Sequence, residues 1–279
     1  MVTMLHRKLF RDLSGHSLRL IAIAVIVAVG VMCFVSMQST FINLSEARDS
    51  YYCQCRMADF WIDLRKLPLA ETNRIADIDG VAEVETRVQF FSMVHLPEQT
   101  AVVNAQVLSL PDERQDGLIN DILIRTGSYF SKRRQNEVLV NATFARQHAL
   151  EPGDSIDIVV NSRRRSLIVA GTVISSEFAY LMAPGSFTPD PEHFGVLYVR
   201  RSFAEELLAL QGAANQLVGR LASGTDVSSD TILRECEQRL EPWGVLNTTS
   251  LAQQASHQFL QGELDGLSIA PATVEIRRL

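Results

Sequence analysis

The chain has 279 residues and a formal charge of −6, with 32 acidic against 26 basic side chains and four cysteines. That length allows one large domain or two small ones with a true core, and too few cysteines are present for a disulfide-built scaffold. The acidic balance argues against nucleic acid as a partner.

The first nineteen residues hold Arg7, Lys8, Arg11 and Arg19 against the single acid Asp12. Leu5, Leu9 and Leu13 recur at i, i+4 and i+8, which fits a short surface helix or a plain basic flank. An uncharged run follows from Leu20 to Leu44. Its apolar heart, Leu20 to Met37, would cover about 27 Å as a helix at roughly 1.5 Å per residue, close to the hydrocarbon thickness of a bilayer. Cationic flanks stay in the cytoplasm, so the N-terminus is expected inside and the remainder outside. Subtracting the +3 of the flank leaves −9 for everything after the run. A cleaved signal peptide is the rival reading, but the run is long for one and no A-x-A triplet follows within reach. Residues 1–17 are thus read as a cytoplasmic basic elbow and 18–44 as a transmembrane helix.

Phe41 to Met57 lacks Gly and Pro, so the helix is expected to continue outward as a stalk. Asp59 to Leu64 alternates like a strand, Leu69 to Ile78 reads as a helix, and Val81 to Leu96 returns to strand after the helix stop Gly80. The same order recurs downstream in strand Gln216–Leu221, helix Val227–Leu240 and a strand near Val245. Between these two β-α-β halves lies a β-rich insert, roughly 125–190. It contains strand Glu137–Val140, helix Ala142–His148, the turn cluster Glu151–Asp154 and a hairpin of Ile156–Val160 with Leu167–Ile174. Asn161 to Arg165 is expected as the hairpin tip, with its three arginines either solvated or free to meet an anionic headgroup. A loop at Ala183–Pro191 then leads to strand Phe194–Tyr198. The fold class expected is α+β, a single membrane helix with a stalk and an extracytoplasmic domain over 45–258.

Chemistry-bearing motifs are missing. The sequence has no G-x-x-x-x-G-K-[ST] phosphate loop, no G-x-S-x-G elbow, no H-E-x-x-H and no C-x-x-C. Its histidines, at 6, 16, 95, 148, 193 and 257, never fall within a helical turn of one another. A Cys53–Cys55 bridge would close a strained ring, and Cys33 and Cys236 lie far away. The expectation is no enzyme: no catalytic residue, no metal ligand and no cofactor-binding residue.

In order, these pieces resemble the N-terminal part of an FtsX-like ABC transporter permease with a MacB-like periplasmic core domain. The resemblance is carried by RKLFRDLSGHSLRL, ADFWIDL, RIADIDGVAEVETRV, the run from Asn136 to Ser175, PGSFTPDPEHFGVLYVRRSFAEEL and FLQGELDGL. It implies a bacterial inner-membrane protein whose periplasmic domain transmits conformational change or handles substrate. The partners implied are a separate ABC ATPase, the remaining permease helices, the lipid bilayer and, in a dimer, a second permease half. Residues 259–279 are read as the start of a returning stalk and a divergent tail. Pro271, Glu275, Arg277 and Arg278 keep that tail from being a next span, so a truncated or split permease, not transport-competent alone, is expected. The alternative is a single-pass extracytoplasmic sensor or binding protein acting through partners.

Overall fold

The structure, a computed structural model, describes residues 17–96, 103–224 and 227–267. The basic elbow, apart from Ser17, and the tail after Leu267 lie outside the described residues. The chain divides into two compact units, one containing the described residues 17–49 and 262–267, the other Ser50–Gln261.

Helix α1 runs unbroken from Ser17 to Gln54. It buries none of its residues, and Ile21, Ile26 and Met32 are among many exposed apolar side chains along it. An apolar surface on every face suits lipid and not a protein core. Among the described residues it is the one helix long and apolar enough to cross a membrane. Thr40 returns its hydroxyl to the Ser36 carbonyl at 2.9 Å, so this polar group is satisfied inside the helix. The helix stops in a double-bonded cap. Arg56, at a left-handed φ of 49°, donates its N–H to Cys53 O, and Met57 N–H returns to Tyr52 O at 2.9 Å.

In the second unit, β1 (Phe60–Pro68), the short helix α2 (Thr72–Ala76) and β2 (Val81–Arg87) form the first β-α-β. Strands β3 (Gln89–His95), β4 (Val103–Leu110), β5 (Ile122–Gly127) and β6 (Glu137–Asn141) follow, then α3 (Ala142–Gln147), whose N-terminus is capped by Asn141. The hairpin β7 (Ser155–Val160) and β8 (Arg163–Ser175), strand β9 (Phe194–Arg200) and helix α4 (Arg201–Leu208) complete the middle of the chain. The second β-α-β is β10 (Ala213–Leu221), α5 (Ser229–Leu240) and β11 (Val245–Ser250), and α6 (Ala255–Leu267) is last.

The two β-α-β halves interleave in one antiparallel sheet of order β11-β1-β10-β2. Strand β10 lies between β1 and β2, which makes each half a split β-α-β. Phe60, Ile62 and Leu64 point to the side where Ile75, Ile232, Cys236 and Leu240 of the helices cover them. Gly219 of β10 sits against the Phe60 ring, where a Cβ would collide with it.

The second sheet has the order β5-β8-β6-β9-β4-β3-β7, and β7 pairs back onto β8. Six strands therefore close a ring, which leaves them no free edges. The thirteen residues of β8 make this possible: Arg163–Ile168 pair with β7, and later residues pair with β6 and β5. Strands β6 and β9 are buried along their whole length, since α3 covers the ring where Gly195 leaves room for Phe144; an added Cβ would stand 2.8 Å from that ring.

Three expectations change here. Val81–Leu96 is two strands in different sheets, because Val88 leaves the first sheet and bonds to Ser109 twice, through its N–H to Oγ and its carbonyl from the Ser109 N–H, both at 2.8 Å. The β-rich region takes its strands from Gln89 to Arg200, well beyond 125–190, because strand order and not sequence proximity decides membership. The hairpin tip is only Asn161 and Ser162, at φ 49° and 59°, a two-residue turn of the twisted type, so Arg163–Arg165 belong to β8.

Candidate coupling site

The functional geometry gathers within Ser50–Gln261, where α1 enters and α6 leaves. Strand β8 ends at Ser175, whose Oγ accepts the Glu177 N–H and starts a one-turn helix, Ser176–Phe178. Gln254, just before α6, donates its side-chain amide to the Glu177 carbonyl at 2.6 Å. Ser256 Oγ accepts the Tyr180 N–H at 3.0 Å, and the Tyr180 ring meets Phe259 edge-on at 4.7 Å. Tyr52 of α1 shares a hydrogen bond of 3.1 Å with His257 Nδ1. The start of α6 is thus tied to one short segment after β8, and the end of α1 is tied to α6 through His257.

That segment is also tied to the interior through its side chain. The Glu177 carboxylate takes both terminal nitrogens of Arg87, at 2.8 and 2.5 Å, with side chains 6 % and 11 % exposed. Arg87 Nε reaches Gln216 Oε1 at 2.5 Å; Gln216 and Gln89 both donate to Asp63 Oδ1 at 2.6 Å, and Gln106 donates to Gln89 at 2.8 Å. Asn215 clamps the Gln89 peptide from both sides at 2.7 Å. The relay crosses β2, β10 and β1 of one sheet and β3 and β4 of the other. Burial works against the Arg87 charge, but the Glu177 carboxylate outweighs it and holds the guanidinium above its ordinary pKa.

Beside the relay a cavity of about 300 Å³ is lined by Glu85, Arg87, Asn120, Tyr198 and Arg201, among others. Asn120 Oδ1 accepts the Ala58 N–H at 2.7 Å and Glu85 Oε1 accepts the Ile119 N–H at 3.0 Å, so the 118–121 loop pins the entry to β1. Burial pushes the Tyr198 phenol up, and it raises the Glu85 carboxyl as well, with Glu83 adding to it. For Glu85 the folded pKa is above the unfolded one, so the folded state holds its proton more tightly. Its stabilising contribution is complete below the unfolded pKa and disappears as pH rises through the folded one. Glu85→Gln keeps an acceptor for Ile119, so its melting temperature should exceed that of the parent at pH 7. Melts taken down to pH 4 should show the gap closing; a constant gap would contradict the burial argument.

No site residue was expected from sequence, and among the described residues no group of three or more His, Cys, Asp or Glu could hold a metal ion. The cysteines are all free, Cys55 and Cys236 buried, Cys33 and Cys53 exposed. His193 pairs with Asp190 at 3.0 Å and His148 packs on Phe144. Arg87 and Glu177 went unread because ninety residues separate them and neither stands in a motif.

No family model matches the sequence, and no curated protein matches it. Among solved structures the chain is similar to the periplasmic region of MacB from Actinobacillus actinomycetemcomitans, at 10 % identity and a TM-score of 0.42, over 74 % of this chain and 92 % of that one. It is also similar to the extracellular domain of the noncanonical ABC-type transporter YknZ from Gram-positive bacteria, at 12 % identity and TM-score 0.40, over 67 % and 100 %. A third likeness is to a domain of a protein described as a permease, from Porphyromonas gingivalis, at 15 % identity and TM-score 0.41, over 73 % and 97 %.

Proposed function

We propose that the chain is the membrane-anchored part of an ABC transporter permease, whose extracytoplasmic domain receives a conformational change through its helices and passes it across its two sheets. The observation that carries this is Glu177. Its carbonyl holds Gln254 before α6, and its carboxylate holds Arg87 at the start of the inter-sheet relay. A displacement of α6 relative to α1 would therefore act on a buried ion pair and not on a compliant loop. No catalysis is assigned to this chain; a separate ATPase supplies the energy, and the inner membrane is its location, with the N-terminus cytoplasmic. The Lys/Arg asymmetry before the span supports that orientation. A phosphatase fused after Gln258, active only when exported, checks it.

The test of function is purification of the chain from its own membranes in mild detergent. An ABC ATPase subunit should accompany it, and the ATP turnover of that complex should fall when the chain carries Glu177→Gln. A histidine kinase or a protease in place of the ATPase would overturn the reading in favour of a sensor. So would an ATPase whose turnover ignores Glu177.

A further inference from the structure

The cavity beside the relay is bordered by polar groups that the fold itself leaves unanswered. Residues of both sheets and of the loop 111–121 line it, and the exposed Gln115 is among them, so solvent enters at that loop. Asn120 is 4 % exposed and stands at a left-handed φ of 56°. Its backbone N–H donates to Arg56 O at 3.0 Å, and its Oδ1 takes the Ala58 N–H at 2.7 Å. The second bond fixes the amide, because a flip would set Nδ2 against another donor. Nδ2 is nevertheless buried with no hydrogen-bond partner among the described residues, a costly state for a donor.

Glu85 supplies the opposite character next to it. Its Oε1 accepts the N–H of Ile119, the residue just before Asn120, and its other oxygen has no hydrogen bond among the described residues. Thr72 Oγ1, on the same lining, is buried without a partner and both donates and accepts. A donor and an acceptor held by adjacent residues of one loop thus border the cavity together.

Size and charge say what answers them. The volume of about 300 Å³ is roughly ten times the share of one water in the liquid, more than bridging water needs, and stands at the small end of ligand pockets. Val84, Leu110, Leu118 and Val218 give it an apolar wall. The cations on its lining are committed: Arg201 bonds Glu205 at 2.8 Å and the Thr86 carbonyl at 3.0 Å, and Arg87 bonds Glu177. An anion would find no free cation there and would face Glu85. A cation would share the space with two guanidiniums and face the Asn120 donor. What fits is uncharged and offers one donor and one acceptor close together, as an amide does.

We propose that this cavity binds a small uncharged molecule through an amide group. The ligand carbonyl accepts from Asn120 Nδ2, its N–H donates to the Glu85 carboxyl, and its apolar body lies against Val84, Leu110, Leu118 and Val218. The inference goes beyond the transporter reading and does not rest on it. Such a group comes from a lactam, whose N–H and C=O share one side, or from a trans amide of the peptide kind, and the test separates the two. The full chain in nanodiscs of neutral lipid would be titrated with ε-caprolactam and with N-methylisovaleramide, followed by saturation-transfer NMR and by melting temperature. At least one should bind with a Kd of about millimolar and raise the melting temperature, and the tighter of the two identifies the source. Its ester analogue, ε-caprolactone or methyl isovalerate, lacks the N–H and should bind about tenfold more weakly. Glu85→Gln keeps an acceptor for Ile119 but presents a donor to the ligand, so it should abolish the preference for amide over ester. Asn120→Asp keeps the bond to Ala58 and removes the donor, so it should weaken the amide about tenfold. The comparison of amide with ester on the parent chain stands even if a variant misfolds. Absence of binding by both amides, or equal binding of amide and ester by the parent, would overturn the proposal. Tighter binding of hexanoate or hexylammonium would overturn it too, by making the ligand charged.

Discussion

Glu177→Ala should destabilise the unit Ser50–Gln261 by about 3–5 kcal/mol, the cost of leaving one partner of a buried ion pair alone. The Arg87 side chain, 11 % exposed, would keep Gln216 as a neutral acceptor at 2.5 Å but lose the one carboxylate that bonds it directly. Domains have only about 5–15 kcal/mol to lose, so the urea midpoint should fall by a large fraction. The double replacement Arg87→Met with Glu177→Leu should recover much of the loss, because two apolar chains of similar bulk need neither charge nor hydrogen bond. If Glu177→Ala shifts stability by less than about 1 kcal/mol, water reaches the pair and the relay is not a stiff connection. The carbonyl bond from Gln254 belongs to the backbone and survives every one of these substitutions. The inter-sheet step can thus be perturbed without detaching the start of α6.

Much of the architecture is legible in sequence because it is local. The span and its stalk follow from the absence of charge between Leu20 and Leu44 and of Gly and Pro up to Met57, and α1 does run from Ser17 to Gln54. The β-α-β halves follow from alternation such as Phe60, Ile62 and Leu64 around Trp61 and Asp63. What escapes is decided between distant segments. Alternation continues straight through Val84 to Val94, so nothing in the sequence marks Val88 as the crossing between sheets; Ser109, twenty-one residues away, makes it one. The closing contact of β7 with β8 likewise depends on a turn at Asn161-Ser162. Without a glycine that pair lacks the usual signature of a two-residue hairpin, and the arginines read as its tip. Glu177 sits in an undistinguished Ser-Ser-Glu-Phe, and only the fold brings Arg87 to it.

A soluble fragment of residues 57–253 should unfold in one cooperative step, while residues 57–200 should show no such transition. The reason is strand order. In β11-β1-β10-β2 the central β10 supplies the partner of both β1 and β2, and β11 covers the other side of β1. Ending the chain at Arg200 removes β10, α5 and β11 together. It leaves β1 and β2 as isolated strands with every ladder bond open, and it strips Ile232, Cys236 and Leu240 from Phe60 and Ile62. The ring of six strands remains whole in the short fragment, since all its members lie between Gln89 and Arg200. Its relay contacts do not, because Gln216 and Asn215 are gone and Arg87 keeps only Glu177. The outcome therefore discriminates between two kinds of domain. If the ring drew its stability from its own closed core, 57–200 would retain a sharp, ring-sized transition with a smaller denaturant slope. If the sheets are welded through Arg87, Gln216, Asp63 and Gln89, as buried polar groups that must all be satisfied at once demand, the short fragment loses cooperativity altogether. Only a welded pair can carry a displacement at Gln254 through Glu177 and Arg87 into the sheet of β1, β10 and β2 without dissipating it in the joint.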